Sequence, residues 1–437
     1  MSKKNKPNTI NNISVITLGC AKNLVDSERF TGLLLANGFN YTEDTRKTDA
    51  LIINTCGFIK PAKEENINVI LEASELRRRG HIKKLIVTGC LSERYNKELT
   101  EQIPYVDHFF GVNSDEKILR AIKSDDKYNL IGERLLLTPK HYAFLKISEG
   151  CNQRCSFCAI PLMRGKHETF EKEKLLKEAN NLANKGVKEL ILIAQDSTYY
   201  GKDKHKKQIL AELLENLSRI NGIEWIRLMY AYPRQFPYSI LPVIANNEKL
   251  VKYIDIPLQH ISNPVLMSMK RGIKRVKIEK LVQTIRDTIP NVAIRSTFIV
   301  GYPNETEKDF YELLNWIREV ELDRVGVFTY SQEEGTTAFP LGDPIPQSVK
   351  DERRGELMKV QQEISLKKNK QKIGKVLKIL IDGREKGLYF GRTEHDAPDV
   401  DNLVYIKSDK KLTAGSFVNV LIERAEEYDL FGIISEN

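Results

Sequence analysis

Three cysteines in the middle of the chain stand at a spacing that could hold a metal centre. Cys151, Cys155 and Cys158 stand at intervals of four and three positions. They follow an alternating apolar run, residues 142–147, that is typical of a β-strand. Thiolate ligands select iron–sulfur clusters, zinc or Cu(I). A cubic four-iron cluster held by three cysteines keeps one iron open, whereas a structural zinc site is closed by a fourth protein ligand.

The other three cysteines form a second group with regular spacing. Cys20, Cys56 and Cys90 each end a β-branched apolar run, at intervals of 36 and 34 residues that fit one strand followed by one helix. Such alternation indicates a parallel sheet, in which ligands bind at the carboxyl ends of the strands. We therefore expect these cysteines to meet at one edge and to hold a second iron–sulfur cluster. The alternative is three unrelated buried cysteines, because cysteine packs like a small apolar residue.

All six cysteines of the chain belong to these two triplets. Because a cytosolic protein has little use for disulfides, two groups of three favour metal chemistry. For the triplet at 151–158, two other interpretations are a zinc site closed by His167 and a redox pair of thiols.

The elements that must position the cysteines make the chain an α/β protein with an all-β end. Predicted strands between 142 and 330 alternate with helices and suit a partial (βα)6 barrel similar to a TIM barrel, whose active site lies at the carboxyl ends of the strands. Short β-rich runs with Gly-containing turns after residue 373 suit a small barrel of the OB kind. The predicted parts are a disordered N-terminus (1–12), a parallel-sheet domain (13–125), a linker (126–136), the (βα) barrel (137–369) and the small β-barrel (370–437).

The composition of the 437-residue chain narrows its class. No apolar run approaches the length that spans a membrane, and the Lys- and Asn-rich residues 1–9 lack the apolar segment of a signal peptide. The net charge of +9 is compatible with a polyanionic partner, although lysine-rich surfaces are also simply soluble. We expect a cytoplasmic protein.

The triplet at 151–158, with aromatic Phe157 just before its last cysteine, resembles that of the radical S-adenosylmethionine (SAM) enzymes. The resemblance implies a [4Fe-4S] cluster whose open iron chelates SAM and cleaves it to a 5′-deoxyadenosyl radical, with Phe157 near the adenine. Other SAM contacts are expected among polar residues and glycines that lie on or after the barrel strands. These candidates are Gln195, Asp196, Arg295 and Gly301.

From Cys20 to the last β-rich segment, the chain resembles the methylthiotransferases, which join an N-terminal cluster domain, a radical SAM core and a C-terminal TRAM domain. Residues 17–28 and 396–401 look like the branch that acts on a ribosomal protein. Residues 371–437 contain ten basic and twelve acidic residues, and a domain that binds a phosphate backbone should be basic. This count favours a basic protein substrate over RNA.

The resemblance implies methylthiolation of the β-carbon of an aspartate in ribosomal protein uS12. Two SAM molecules are expected, with sulfur carried on the [4Fe-4S] cluster of Cys20, Cys56 and Cys90. The implied partners are free uS12 or the small ribosomal subunit, RNA reached through the ribosome, and a flavodoxin- or ferredoxin-like electron donor. The alternatives are a tRNA adenosine methylthiotransferase, a two-cluster electron carrier and a zinc-dependent RNA-binding protein. No catalytic residue is assigned beyond the cluster ligands.

Overall fold

The computed structural model describes residues 9–123 and 133–435, which form two units. Unit 1 contains the described residues up to 137 together with residues 159–166, and unit 2 contains residues 138–158 and 167–435. Most of the predicted disordered N-terminus and most of the predicted linker lie outside the described residues. The domain boundaries at 125, 137 and 370 stay predictions.

Unit 1 is built on a five-stranded parallel sheet of order β2-β1-β3-β4-β5. Its strands are β1 (Asn12–Thr17), β2 (Asn40–Tyr41), β3 (Ala50–Thr55), β4 (Lys84–Gly89) and β5 (His108–Phe109). Its helices are α1 (Ala21–Ala36), α2 (Lys60–Arg78), α3 (Cys90–Arg94), α4 (Asn96–Gln102), α5 (Asp115–Ile122) and α6 (Ile160–Arg164). The predicted parallel sheet is confirmed. The apolar spacing of residues 93–99 predicts one helix there, and this prediction is wrong, because the chain breaks at Tyr95 between α3 and α4.

The central strand of unit 1 is covered on both faces. All six residues of β3 are buried, which explains its nearly continuous apolar sequence. Ala50 and Ile52 belong to one apolar cluster, with α1 and α5, while Leu51 and Ile53 belong to another, with α2 and α4. This packing fixes the ends of the strands that the cysteines follow.

Unit 2 contains a six-stranded parallel sheet of order β13-β12-β11-β10-β9-β6. The strands of this part are β6 (Tyr142–Lys146), β7 (Ser148–Glu149), β8 (Glu168–Thr169), β9 (Glu189–Ile193), β10 (Trp225–Leu228), β11 (Leu250–Asp255), β12 (Ala293–Val300) and β13 (Arg324–Thr329). The helices are α7 (Lys172–Asn184), α8 (Lys202–His205), α9 (Leu210–Ser218), α10 (Ile240–Asn246), α11 (Asn263–Ser268), α12 (Arg275–Thr288), α13 (Glu307–Val320) and α14 (Gln347–Lys370). All six predicted barrel strands are present, in the parallel arrangement that the alternation indicated.

Unit 2 ends in a closed five-stranded barrel of order β14-β15-β16-β18-β17. Its strands are β14 (Val376–Glu385), β15 (Leu388–Arg392), β16 (Val404–Lys407), β17 (Phe417–Ala425) and β18 (Leu430–Ile434). The small all-β barrel is therefore confirmed. Among the helices of the described chain, none has both the length and the apolar character to cross a lipid bilayer.

Candidate metal centres

Cys20, Cys56 and Cys90 follow three neighbouring strands of unit 1. Cys56 comes directly after β3, Cys90 is the first residue of α3 directly after β4, and Cys20 precedes α1 three residues after β1. Since β1, β3 and β4 are adjacent and parallel, their carboxyl ends lie at one edge of the sheet. The predicted positions of these cysteines at a common edge are those of the structure.

The pKa values of Cys56 and Cys90 depend on the neighbouring thiols. Burial raises the pKa of Cys90 to about 12, Arg164 opposes this shift, and the charges of Cys20 and Cys56 add to it. Burial also raises the pKa of Cys56, and Cys20 contributes again. The three cysteines therefore lie near one another at this edge of the sheet, and cysteine sulfurs are the ligand type of an iron–sulfur cluster.

Gly19 lets the loop before Cys20 lie directly against Cys56. Its φ of +91° is a conformation that favours glycine, and a Cβ at this position would lie 2.5 Å from Cβ and 2.9 Å from Sγ of Cys56. No other residue type fits here without moving Cys56.

Three buried asparagines hold the loops that carry this triplet. Asn23 Nδ2 donates to the carbonyls of Leu18 and Thr55 at 2.8 and 2.9 Å, and Asn54 Nδ2 donates to the Asn23 carbonyl at 2.8 Å. The amide N–H of Cys56 donates to Asn66 Oδ1 at 2.7 Å. Sequence reasoning did not identify these residues, which hold the cysteines in place through the backbone.

Arg164 lies against the same triplet. Its Nε donates to Cys90 Sγ at 3.2 Å, Nη1 donates to Asp26 at 2.9 Å, and Nη2 donates to Asn23 Oδ1 at 2.5 Å. Ala159 and Met163, from the same segment, pack on Cys90 in a small apolar cluster. Sequence reasoning missed Arg164, because its contact with Cys90 joins residues 74 positions apart.

The second triplet lies in the loop after β7, and all three cysteines are half-buried. Burial raises the pKa of Cys151 to about 12, and the Gln153 amide N–H, which donates to Cys151 Sγ at 3.4 Å, opposes this shift. Arg271 Nη1 donates to Cys155 Sγ at 3.2 Å, and the Tyr232 hydroxyl lies 3.4 Å from the same sulfur. Sequence reasoning did not single out Arg271.

Three of the predicted SAM contacts lie in or beside the loop of the second triplet. Phe157 packs on a buried apolar cluster that includes Met269 and Tyr302. Asp196 accepts from Gln153 Nε2 at 2.8 Å and also caps the short helix at 197–199 through the Thr198 amide. Gln195 donates to Glu149 at 3.1 Å. Asp196 therefore joins the second cysteine loop to the end of β9.

The other two predicted SAM contacts have structural partners. Arg295 is the third residue of β12, away from its carboxyl end, and its Nη1 donates to Asp255 at 3.0 Å. The Gly301 amide donates to Glu305 at 3.0 Å, and a Cβ at Gly301 would lie 2.3 Å from Cγ of Lys350. The contacts of Arg295 and Gly301 with SAM stay predictions.

His167, the candidate fourth zinc ligand, has other neighbours. Its Nε2 lies 3.3 Å from Thr169 Oγ1, and its ring lies edge-on to Tyr199. Within residues 9–123 and 133–435, no three Cys, His, Asp or Glu side chains are grouped closely enough for a single metal ion.

Several of the acidic residues counted in 371–437 are inside unit 2, so the total charge of this segment misrepresents its surface. Asp382, Asp396 and Asp401 pair with His141, Arg324 and Tyr253 of the preceding (βα) part. Among residues 371–435, eight basic and five acidic residues are exposed. They are Lys375, Lys378, Arg384, Lys386, Lys407, Lys410, Lys411 and Arg424, against Glu385, Asp399, Asp409, Glu423 and Glu426. The exposed surface of the small barrel is basic, so its charge does not favour a protein substrate over RNA.

Three family models match successive parts of the chain. Residues 12–111 match the uncharacterized protein family UPF0004, residues 145–317 match the radical SAM superfamily, and residues 373–434 match the TRAM domain. Among solved structures, the radical SAM methyltransferase TsrM from Kitasatospora setae, with cobalamin and a [4Fe-4S] cluster bound, has a TM-score of 0.56 at 12% identity. That match covers 76% of this chain and 74% of the other and shows the fold alone. Fold and cysteine placement thus define a radical SAM protein.

Full-length relatives define the family more narrowly. The ribosomal protein uS12 methylthiotransferase RimO of Cytophaga hutchinsonii is 50% identical over 99% of both chains. The proteins of the same name from Flavobacterium psychrophilum and Aquifex aeolicus are 52% and 47% identical, over 96–98% of the chains compared. The chain belongs to the RimO family of radical SAM methylthiotransferases.

Proposed function

We propose that this protein adds a methylthio group to the β-carbon of an aspartate in ribosomal protein uS12. The observation that carries the proposal is identity near 50% with uS12 methylthiotransferases along essentially the whole of both chains. The two cysteine triplets supply the ligand sets that such a reaction requires. A C–H bond on this carbon offers no acidic proton, so acid–base catalysis alone would be insufficient.

The six cysteines hold two [4Fe-4S] clusters, one on Cys20, Cys56 and Cys90 and the other on the triplet at 151–158. The donor type fits, because three cysteines are the ligand set of such a cluster and a buried arginine donates to one sulfur of each triplet. When bound, the two clusters supply sulfur for transfer and the electron that cleaves SAM. The protein positions these groups and the substrate.

The chain's own residues orient SAM next to the second triplet. Phe157 offers an aromatic face for the adenine, and Gln195 and Asp196 offer polar groups at the end of β9. Glu149, two residues before Cys151, is buried, and its carboxylate accepts a hydrogen bond from Lys146 Nζ at 2.7 Å. This contact holds the carboxylate beside the side-chain amide of Gln195. This arrangement provides a preorganised polar edge beside the cysteine loop.

The partners follow from the reaction. The substrate is uS12, free or in the small ribosomal subunit, and a flavodoxin- or ferredoxin-like protein supplies electrons in the cytoplasm. The basic exposed surface of the small barrel suits contact with ribosomal RNA near the substrate.

Mass spectrometry of the host's ribosomal proteins and tRNA tests the proposal. In cells that lack the gene, we expect uS12 without the added methylthio mass and unchanged tRNA nucleosides, and restoration of the mass by the plasmid-borne gene. If the tRNA adenosine lacks its methylthio group in these cells while uS12 still carries the methylthio mass, the tRNA methylthiotransferase alternative is correct. Loss of neither modification would contradict both.

A further inference from the structure

Each cysteine triplet has one buried arginine that donates to a cysteine sulfur. Arg164 Nε lies 3.2 Å from Cys90 Sγ in unit 1, and Arg271 Nη1 lies 3.2 Å from Cys155 Sγ in unit 2. Arg164 is 5% exposed and Arg271 is 3% exposed. The two units therefore contain the same contact independently.

Arg271 has no carboxylate partner within the described parts of the chain. Its guanidinium lies over the Tyr232 ring, 4.3 Å from the centroid, and also donates to the Pro257 carbonyl. A buried cation without an anion is costly, and the contact that this guanidinium makes in place of a salt bridge is the one to Cys155 Sγ, at 3.2 Å.

Arg164 differs because a carboxylate offsets its charge. Asp26 accepts from Nη1 at 2.9 Å, and the Asn23 side chain accepts from Nη2. The planar guanidinium is thereby fixed in one orientation, with Nε directed at Cys90. A fixed charge-assisted donor 3.2 Å from Cys90 Sγ favours negative charge on this sulfur and on a cluster bound to it.

We propose that Arg164 and Arg271 are positioning residues, each holding one cysteine ligand and raising the reduction potential of its own cluster. Hydrogen bonds to sulfur ligands and nearby positive charge both favour the reduced, more negative cluster. The inference rests on the two clusters of the proposed function. It assigns Arg164 to the cluster of Cys20, Cys56 and Cys90, and Arg271 to the SAM cluster.

A redox titration of the anaerobically reconstituted full-length protein, followed by electron paramagnetic resonance, tests the assignment. Addition of SAM identifies which signal belongs to the cluster that binds it. For Arg271→Gln we expect the reduced-to-oxidised ratio of the SAM-sensitive cluster, at a fixed potential, to fall about tenfold, equivalent to about 59 mV for a one-electron couple. For Arg164→Gln we expect the SAM-insensitive cluster alone to shift in the same direction, by a smaller amount because Asp26 offsets the arginine charge.

Asp26→Asn gives a test of opposite sign. Asp26→Asn removes a negative charge that lies 2.9 Å from Arg164, so the potential of the SAM-insensitive cluster should rise. Arg164→Lys keeps the positive charge but cannot donate to Cys90, Asp26 and Asn23 at once. We expect its SAM-insensitive cluster to have a reduction potential between those of the parent protein and Arg164→Gln. If Arg164→Gln does not fold, the proposal is tested by the shifts in reduction potential that Asp26→Asn and Arg164→Lys cause in the SAM-insensitive cluster.

Matched controls remove arginines that do not contact a thiol. Arg77 pairs with Asp107 in unit 1, and Arg275 pairs with Glu279 and Glu312 in unit 2. Arg77→Gln and Arg275→Gln should leave both potentials unchanged. Equal shifts in the controls, or unchanged potentials in all the Arg164, Arg271 and Asp26 variants, would overturn the proposal. A parent protein that binds both clusters yet leaves uS12 unmodified would instead count against the proposed function.

Discussion

Asp396 of the small C-terminal barrel is buried in an ion pair with Arg324, the first residue of β13. Arg324 Nη2 donates to Asp396 Oδ1 at 2.6 Å, and both side chains are less than a tenth exposed. Arg392 extends this interface by donating to Glu189 at 2.6 Å and to Asp382 at 2.8 Å. The small barrel is thus attached to the (βα) part through buried charges.

Loss of one partner of this pair should destabilise unit 2. Asp396→Ala leaves the Arg324 guanidinium buried without its carboxylate, and such changes cost about 3–5 kcal/mol. We expect the urea midpoint of the corresponding unfolding transition to fall. Glu75→Ala, which removes an exposed carboxylate paired with Arg78 and Arg79 in unit 1, should leave the midpoint unchanged. Equal stability of the two variants would contradict a stabilising role for the buried pair.

Unit 2 should lose stability in acid. Burial alone would raise the pKa of Asp396 and Glu189, but Arg324 acting on Asp396, and Arg392 with Arg227 acting on Glu189, hold each pKa below its usual range. A lowered folded pKa contributes stability that is present above the unfolded pKa, about 4, and is lost as the pH falls through the folded pKa. Urea midpoints of the parent protein should therefore decline below about pH 4.

The Asp396→Asn variant provides the comparison for this pH effect. Asn cannot ionise, so the difference in midpoint between parent and variant should shrink as the pH falls. Asp401, whose pKa burial raises, acts in the opposite sense and reduces the total slope. A difference that stays constant from about pH 7 to about pH 3 would show that Asp396 is not the titrating group.

The two triplets should respond differently to loss of a cysteine. Cys155→Ala should abolish SAM cleavage, whereas Cys56→Ala should retain some cleavage, lose about half of the iron and block methylthio transfer. Deoxyadenosine, bound iron and modified uS12 are measured in each variant, and each variant is the control for the other. Full transfer by Cys56→Ala would exclude the sulfur-carrying role.

Gly19→Ala should impair the first triplet specifically. The new Cβ would have to displace Cys56, so we expect loss of about half of the iron, with SAM cleavage retained in part. Gly38→Ala is the matched control, because Gly38 has nearly the same φ, +89°, but a Cβ added there would meet no atom within 4 Å. Both variants carry backbone strain of about 1–2 kcal/mol, and only Gly19→Ala should lose iron. Equal iron content would show that contact with Cys56 is unimportant.

Sequence patterns predicted the fold better than the surroundings of the site. Alternating apolar runs placed the strands of both sheets, and the intervals between cysteines placed Cys20, Cys56 and Cys90 at one edge. The two-residue strands β2 and β5 were too short to show a period, and Tyr95 broke a helix where the pattern continued. The periodicity of apolar residues cannot predict strands this short or a break within a helix.

The sequence by itself determined the order of strands and helices, the two cysteine triplets and the family of the chain. Only the tertiary structure decided that Arg164 lies against Cys90, that Arg271 lies against Cys155, and that Asp396 is buried rather than exposed. These pairs join residues about 70 to 120 positions apart. The physical reason is that charges and hydrogen bonds depend on distances after packing, while a sequence pattern reports only which residues share a local face.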